Sequence, residues 1–121
     1  MTFGSQFWDE LVVQSYKNIL KNKPSSALVH TNLGLAYTRM DKDKKAIRSF
    51  LRAVKHDKNH AEAYYHLGSA YQRIGKRTEA LRAFGNYNKI MHAKKQKGPV
   101  VEQLVMQLKA EKLLKNLESN Q

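Results

Sequence analysis

The pattern of apolar and polar positions predicts helices along most of the chain. Between Trp8 and Asn22, apolar residues recur every three or four positions, which places them on one broad helical face. The same spacing returns in later segments, separated by polar breaks at 40–44 and 74–78. Gly75, in the second break, is suited to ending a helix. The face of the first predicted helix carries Trp8, Leu11, Val12, Tyr16, Ile19 and Leu20.

The stretch 27–94 reads twice, because the segment 27–60 aligns without gaps on the segment 61–94. Eleven of the 34 aligned pairs are identical, whereas composition alone would give roughly two. Apolar residues share one helical face before and after each polar break, so each copy reads as helix, tight turn, helix. The identical pairs are Ala27 and Ala61, Leu33 and Leu67, Gly34 and Gly68, Ala36 and Ala70, Tyr37 and Tyr71, Arg39 and Arg73, Lys42 and Lys76, Ala46 and Ala80, Arg48 and Arg82, Phe50 and Phe84, and Lys55 and Lys89.

With this period and these residues, the chain resembles the tetratricopeptide repeat family. The resemblance rests on the Leu-Gly pairs, Tyr37 and Tyr71, the paired alanines, and Phe50 and Phe84. It implies an all-α fold, a right-handed α-solenoid of helix-turn-helix tetratricopeptide repeats with a C-terminal capping helix. The chain departs from the family pattern at four positions. His30 stands where the family has a bulky residue, Lys58 and His92 stand where it has a proline, and Tyr87 stands where it has an alanine.

The repeat divides the chain into parts of one predicted domain, 1–121. We expect an N-terminal half-repeat helix at 1–26, a repeat at 27–60, a second repeat at 61–94 and a C-terminal capping helix at 99–118. Ser25 and Ser26 supply N-cap chemistry for the first complete repeat, and Pro99 suits the first turn of the capping helix.

Both ends of the array leave alternatives open. The half-repeat lacks its first helix, so the chain either starts in mid-array or is a fragment of a longer protein. We expect Phe3, Phe7 and Trp8 to fold over as an end cap, rather than dock on a missing neighbour. The capping helix has two apolar stripes, one with Val100, Val101, Leu104, Val105 and Leu108, the other with Met106, Ala110, Leu113 and Leu117. Because both stripes cannot face one neighbour, we expect self-association or partner docking through this helix.

Charge is the strongest signal outside the repeat. The 22 basic and 10 acidic residues give a formal net charge of +12. Arg48, Arg52 and Lys55 share one helical face, which we take as a basic face. The simplest explanation of this basic face is a solvent-exposed surface that aids solubility. The functional one is attraction to an acidic partner, and an acidic protein is favoured over nucleic acid because repeat packing already accounts for most aromatic residues.

Catalysis and metal binding have little support in the sequence. Cysteine is absent, which excludes thiolate nucleophiles and cysteine metal sites. His56 and His60 are four positions apart, but no carboxylate lies at a convincing spacing for a third ligand. We therefore expect no enzyme activity, no cofactor and no metal. The chain shows neither a secretory signal nor an apolar run of about 18 residues, so a cytoplasmic location is the default expectation.

The family resemblance implies a protein–protein interaction module, an adaptor or scaffold, that binds a peptide or helix of a partner in a concave groove between first helices. The alternatives are a basic RNA- or anionic-surface-associated module, or a piece of a larger multi-repeat subunit. One subclass of the family clamps chaperone C-terminal carboxylates; here Asn32 fits that clamp, but Glu62 and His66 stand where it needs basic residues. The expected groove residues are Leu28, Thr31, Asn32, Leu35, Arg39, Glu62, Tyr65, His66, Ser69, Gln72 and Arg73.

Overall fold

A computed structural model of the protein describes residues 3–94 and 101–119, with side chains for 5–94 and 104–119. The described residues form six helices and no strand, which confirms the all-α expectation. Pro99, Val100 and the side chains of Phe3 and Val101 lie outside the described part. The helices are α1 Phe3–Asn22, α2 Ala27–Arg39, α3 Asp43–His56, α4 Ala61–Arg73, α5 Arg77–Lys94 and α6 Val101–Ser119.

The helices pack in chain order. α2 packs on α3 and α4 on α5, and each of these pairs also contacts the helix before and after it. α2 and α4 begin at Ala27 and Ala61, which are equivalent positions of the two repeats. The Ser26 hydroxyl accepts a hydrogen bond from the Val29 N–H at 3.2 Å, which confirms the predicted N-cap of α2.

Both tight turns use a left-handed residue at equivalent positions. Gly75 has φ +79°, and Asp41, its counterpart in the first repeat, has φ 58°. The turns close in the same way, with the Lys42 and Lys76 N–H groups donating to the carbonyls of Tyr37 and Tyr71 at 2.9 Å. Glycine adopts this conformation without steric cost, whereas the first repeat reaches it with an aspartate.

Each repeat is held by a phenylalanine ring set into a glycine notch. A Cβ atom on Gly34 would overlap the Phe50 ring, and one on Gly68 would lie 2.7 Å from Cε1 of Phe84. Both phenylalanines are fully buried. The two helices of a repeat therefore approach more closely than any side chain at the glycine would allow.

Two apolar clusters run through the stack. The first joins α1 to α4 around Phe50, and the second joins α4, α5 and α6 around Phe84 and Tyr87. Tyr87 stands where the first repeat has Ala53, and its ring fills space beside Tyr65, with centroids 5.6 Å apart. Burial, with a smaller contribution from Tyr65, raises the pKa of the Tyr87 phenol to about 12.

The expected aromatic cap at the N-terminus is wrong for Phe7 and Trp8. These side chains are 55% and 66% exposed, and their rings meet edge to face with centroids 5.9 Å apart. The reason is that α1 is helical from Phe3 onward, so neither residue can fold back over the helix end. Val13, which the predicted apolar face did not include, is the most buried residue of α1 facing the core.

The two stripes of α6 have different environments. Met106, Ala110, Leu113 and Leu117 belong to the second apolar cluster. Leu104, Val105 and Leu108 remain 44%, 44% and 57% exposed. The stripe with Met106, Ala110, Leu113 and Leu117 therefore packs on α5. Self-association or partner docking through the exposed stripe stays a prediction.

We expect three substitutions to separate notch packing from helix propensity. Gly68→Ala should lower the free energy of unfolding by about 1–3 kcal/mol, because the new methyl group meets the Phe84 ring. Gly85→Ala, on an exposed site of α5 with open space around it, should raise it by about 0.5–1 kcal/mol. Phe84→Ala should cost about 3–5 kcal/mol.

Urea melts followed by circular dichroism measure these differences. In the Phe84→Ala background, Gly68→Ala should lose most of its cost, because the ring that it meets is gone. Additive costs in the double variant would contradict the notch.

Candidate functional site

The predicted groove lies on neighbouring first helices. α2 and α4 are in contact with each other, and their expected groove positions are related by the repeat. Leu28, Asn32 and Leu35 correspond to Glu62, His66 and Ser69 in the second repeat. We call the surface formed by these positions, Tyr65 and Gln72 the α2–α4 groove.

On α2, Leu28 and Leu35 are accessible to a partner, whereas Thr31 is not. Leu28 is 56% exposed, whereas Asn32 and Leu35 are half-buried. Thr31 is fully buried, and its hydroxyl donates to the carbonyl of Ala27 at 2.8 Å. Thr31 therefore supports α2 internally and offers no atom to a partner.

On α4, Tyr65 belongs to both the core and the groove. Its half-buried ring lies 6.0 Å from that of Phe84 and 5.3 Å from that of His66, between centroids. Ser69 and Gln72 are half-buried on the same helix. Truncating Tyr65 would consequently loosen the second cluster as well as change the groove.

The C-terminal helix adds a wall that the repeat pattern did not reveal. Tyr65 and α6 line a cleft of about 320 Å³, to which α6 contributes Lys109, Lys112, Leu113 and Asn116. The repeat does not continue into α6, so no repeat identity pointed to these four residues. Tyr65 is thus the α4 residue that lines this cleft with α6.

At the centre of the groove, His66 lies over the core. Its ring stacks on Phe50 with centroids 5.8 Å apart, and Nε2 is 3.6 Å from Oε1 of Glu62. Burial lowers the pKa of His66 below its ordinary 6.5. Glu62 opposes this shift and Arg73 adds to it.

The two arginines at the groove edge connect repeats. Arg39 Nε lies 3.4 Å from Asp9 Oδ1, and Arg73 Nε lies 3.0 Å from Asp43 Oδ1. Asp9 and Asp43 are themselves one repeat period apart, so the same bond recurs between each first helix and the helix before it. The identity of Asp9 and Asp43 is the sequence signal that would have predicted these pairs.

The predicted basic face lies on α3. Arg48, Arg52 and Lys55 are all exposed. Arg48 and Arg52 line a cleft between α3 and α1, and Lys55 does not. This surface is separate from the α2–α4 groove.

Within the described part of the chain, no three side chains of the types that ligate metals come together. His56 instead stacks on His30, with ring centroids 5.5 Å apart, and His60 Nδ1 lies 3.9 Å from Asp57 Oδ2.

Among the described helices, none combines the length and the apolar character needed to cross a membrane.

Comparison with protein families agrees with the repeat geometry. A family model described as TPR repeat matches residues 39–75, and one described as Tetratricopeptide repeat matches residues 62–89. The chain contains tetratricopeptide repeats. The matches span the second helix of the first repeat and most of the second repeat, which include both Gly68 and its partner Phe84.

Solved tetratricopeptide repeat structures superpose on most of the chain. The chaperone SycD of Yersinia enterocolitica, in complex with a peptide of the translocator YopD, has a TM-score of 0.83 at 12% identity, over 95% of this chain and 83% of that one. PcrH, in complex with the chaperone-binding region of PopD, gives 0.81 at 14%, over 98% and 84%. The first repeat domain of Spaghetti, bound to an HSP90 peptide, gives 0.70 at 20%, over 93% and 84%.

No curated protein sequence matches the chain. The similarity to these solved structures establishes the tetratricopeptide fold.

We expect His66 to titrate with a midpoint below 6.5, because burial disfavours the imidazolium. The folded state then binds this proton more weakly than the unfolded state. Stability from His66 is fully present above pH 6.5 and is lost as pH falls from 6.5 towards the folded pKa. An NMR titration of the His66 ring protons measures the midpoint.

Glu62→Gln is the control for this titration. Removing the carboxylate that opposes the shift should lower the midpoint further. A midpoint at or above 6.5 in the wild-type protein would contradict the assignment.

Proposed function

We propose that the protein is an interaction module that binds an extended or helical segment of a partner protein in the α2–α4 groove, with α6 forming its far wall. The observation that carries this proposal is the set of apolar side chains that repeat packing leaves accessible there. Leu28 is more than half exposed, and Leu35 and Tyr65 are half-buried on adjacent helices. No reaction is proposed.

The groove chemistry favours apolar anchors with acidic residues nearby. Leu28, Leu35 and the Tyr65 edge suit apolar side chains. The α6 wall contributes Lys109 and Lys112 beside Tyr65. These lysines, rather than the edge arginines, are the cations best placed for partner carboxylates, since the arginines already pair with aspartates.

The solved relatives support this use of the fold. SycD, PcrH and Spaghetti were each solved with a peptide or region of another protein. Each comparison covers more than nine-tenths of this chain. A chaperone-tail clamp is not part of the proposal, because Glu62 and His66 face each other where that clamp needs basic side chains.

We expect the groove to select peptides with apolar anchors from a random displayed library. Leu28→Ala should weaken a selected peptide about five- to thirtyfold, equivalent to about 1–2 kcal/mol, by removing an accessible anchor contact. Leu51→Ala is the matched control. Leu51 is also a partly exposed leucine, at 42%, but lies on α3. Fluorescence anisotropy of the labelled peptide measures both affinities.

Equal affinities in wild type and Leu28→Ala, with a loss in Leu51→Ala, would move the site away from the groove. Circular dichroism melts of both variants establish that neither unfolds. Chemical-shift changes confined to α2, α4 and α6 on peptide addition would locate the site directly.

A further inference from the structure

The structure contains two repeat-related clefts outside the α2–α4 groove. One lies between α1 and α3, with a floor of Leu20, Leu33 and Tyr37. The other lies between α3 and α5, with a floor that includes Val54, Leu67 and Tyr71. Each floor residue of the second cleft lies one repeat period after its counterpart in the first. We call them the first cleft and the second cleft.

The rims of the two clefts differ although their floors match. The first rim carries Lys17, Lys45, Arg48 and Arg52 and no carboxylate. The equivalent positions of the second rim are Leu51, Glu79, Arg82 and Asn86. Equivalent rim positions thus carry four cations in the first cleft and one acidic and one basic residue in the second. Helix packing therefore does not require the positive charge of the first cleft.

The four cations of the first cleft line one cavity that has no carboxylate in its lining. None of them forms an ion pair with a carboxylate in the described part of the chain. All four are exposed. Mutual repulsion of unpaired cations disfavours such a cluster, which an anionic ligand would relieve.

Volume and the charge beside the floor tyrosine also distinguish the first cleft from the second. Its volume is about 320 Å³, against about 170 Å³ for the second. Lys45 Nζ lies 5.8 Å from the centroid of the Tyr37 ring, which forms part of the floor. In the second cleft Glu79 occupies the position of Lys45. The pKa of Tyr71 is raised, mainly by burial and to a smaller extent by Glu79, and Arg82 partly opposes this shift. The first cleft is therefore cationic, whereas the charges on the rim of the second cleft balance.

We propose that the first cleft is a second binding site, for an acidic segment of a partner protein in which an apolar side chain is flanked by carboxylates. The apolar side chain would contact Leu20, the half-buried residue of the floor, and the carboxylates would contact the rim cations. This site shares no residue with the α2–α4 groove and does not depend on the function proposed for it.

A protein segment fits the first cleft better than a nucleic acid. Single-stranded nucleic acids bind where aromatic rings are free to stack on bases. The aromatic ring of this cleft, Tyr37, is only 7% exposed and has Lys45 above it. Carboxylate recognition by arginine and lysine needs no such ring.

The repeat supplies a matched pair of variants for the test. Arg48 and Arg82 are equivalent, exposed arginines on the rims of the two clefts. The probe is a fluorescein-labelled peptide with a central leucine between runs of glutamate, followed by anisotropy at low salt. We expect Arg48→Glu to weaken its binding about tenfold or more and Arg82→Glu less than about twofold, since Arg82 has no neighbouring cations in its cleft.

A gain of binding completes the design. Leu51→Lys, Glu79→Lys and Asn86→Arg together would give the second cleft the rim charges of the first. This triple variant should bind a second copy of the probe peptide, which titration calorimetry detects as a doubled stoichiometry. Circular dichroism checks that each variant keeps its helices.

Several results would overturn the proposal. Equal losses in Arg48→Glu and Arg82→Glu would show that net charge alone attracts the probe. Undiminished binding of a peptide with glutamine in place of glutamate would remove the role of the cations. Loss of probe binding in Leu28→Ala would place the probe in the groove instead. A single-stranded RNA that outcompetes the peptide, and is sensitive to Arg48→Glu alone, would make nucleic acid the occupant.

Discussion

The close approach between a helix backbone at a glycine and a phenylalanine ring sets the geometry of the repeats. At Gly34 and again at Gly68, the absence of a side chain lets the ring of the paired helix enter. Since the next helix packs on the pair so formed, the spacing of successive first helices follows from the same contact. The ion pair between Arg73 and Asp43, and its equivalent one repeat earlier, join each first helix to the helix before it. Exposed ion pairs contribute at most about 1 kcal/mol each, so most of the stability comes from the buried clusters.

The same repetition explains how the protein can carry two kinds of surface. First helices present Leu28, Leu35 and Tyr65 on one side, and second helices present the clefts on the other. Within a repeat, the notch and floor residues are constrained by packing, whereas rim residues are not. The difference between Lys45 and Glu79 at equivalent positions shows how charge varies on an otherwise constant frame.

Much of the fold was predictable because each helix and turn is specified by residues close together in the sequence, and the pattern repeats after 34 positions. The breaks between helices and the N-cap at Ser26 follow from patterns within one repeat. α6 was harder to place. Its two stripes looked equivalent in sequence, and only the shape of the α5 surface decided that the one with Ala110 and Leu117 is buried.

The candidate surfaces divide in the same way. The sequence by itself determined which groove positions are equivalent and that cations are in excess. Only the tertiary structure decided that Thr31 is buried and that Arg39 and Arg73 engage the preceding helix. It also decided that Lys17 joins Arg48 at one cleft. The physical reason is that helical periodicity relates residues within a turn or two, whereas Lys17 and Arg48 belong to different helices that meet only when the repeats stack.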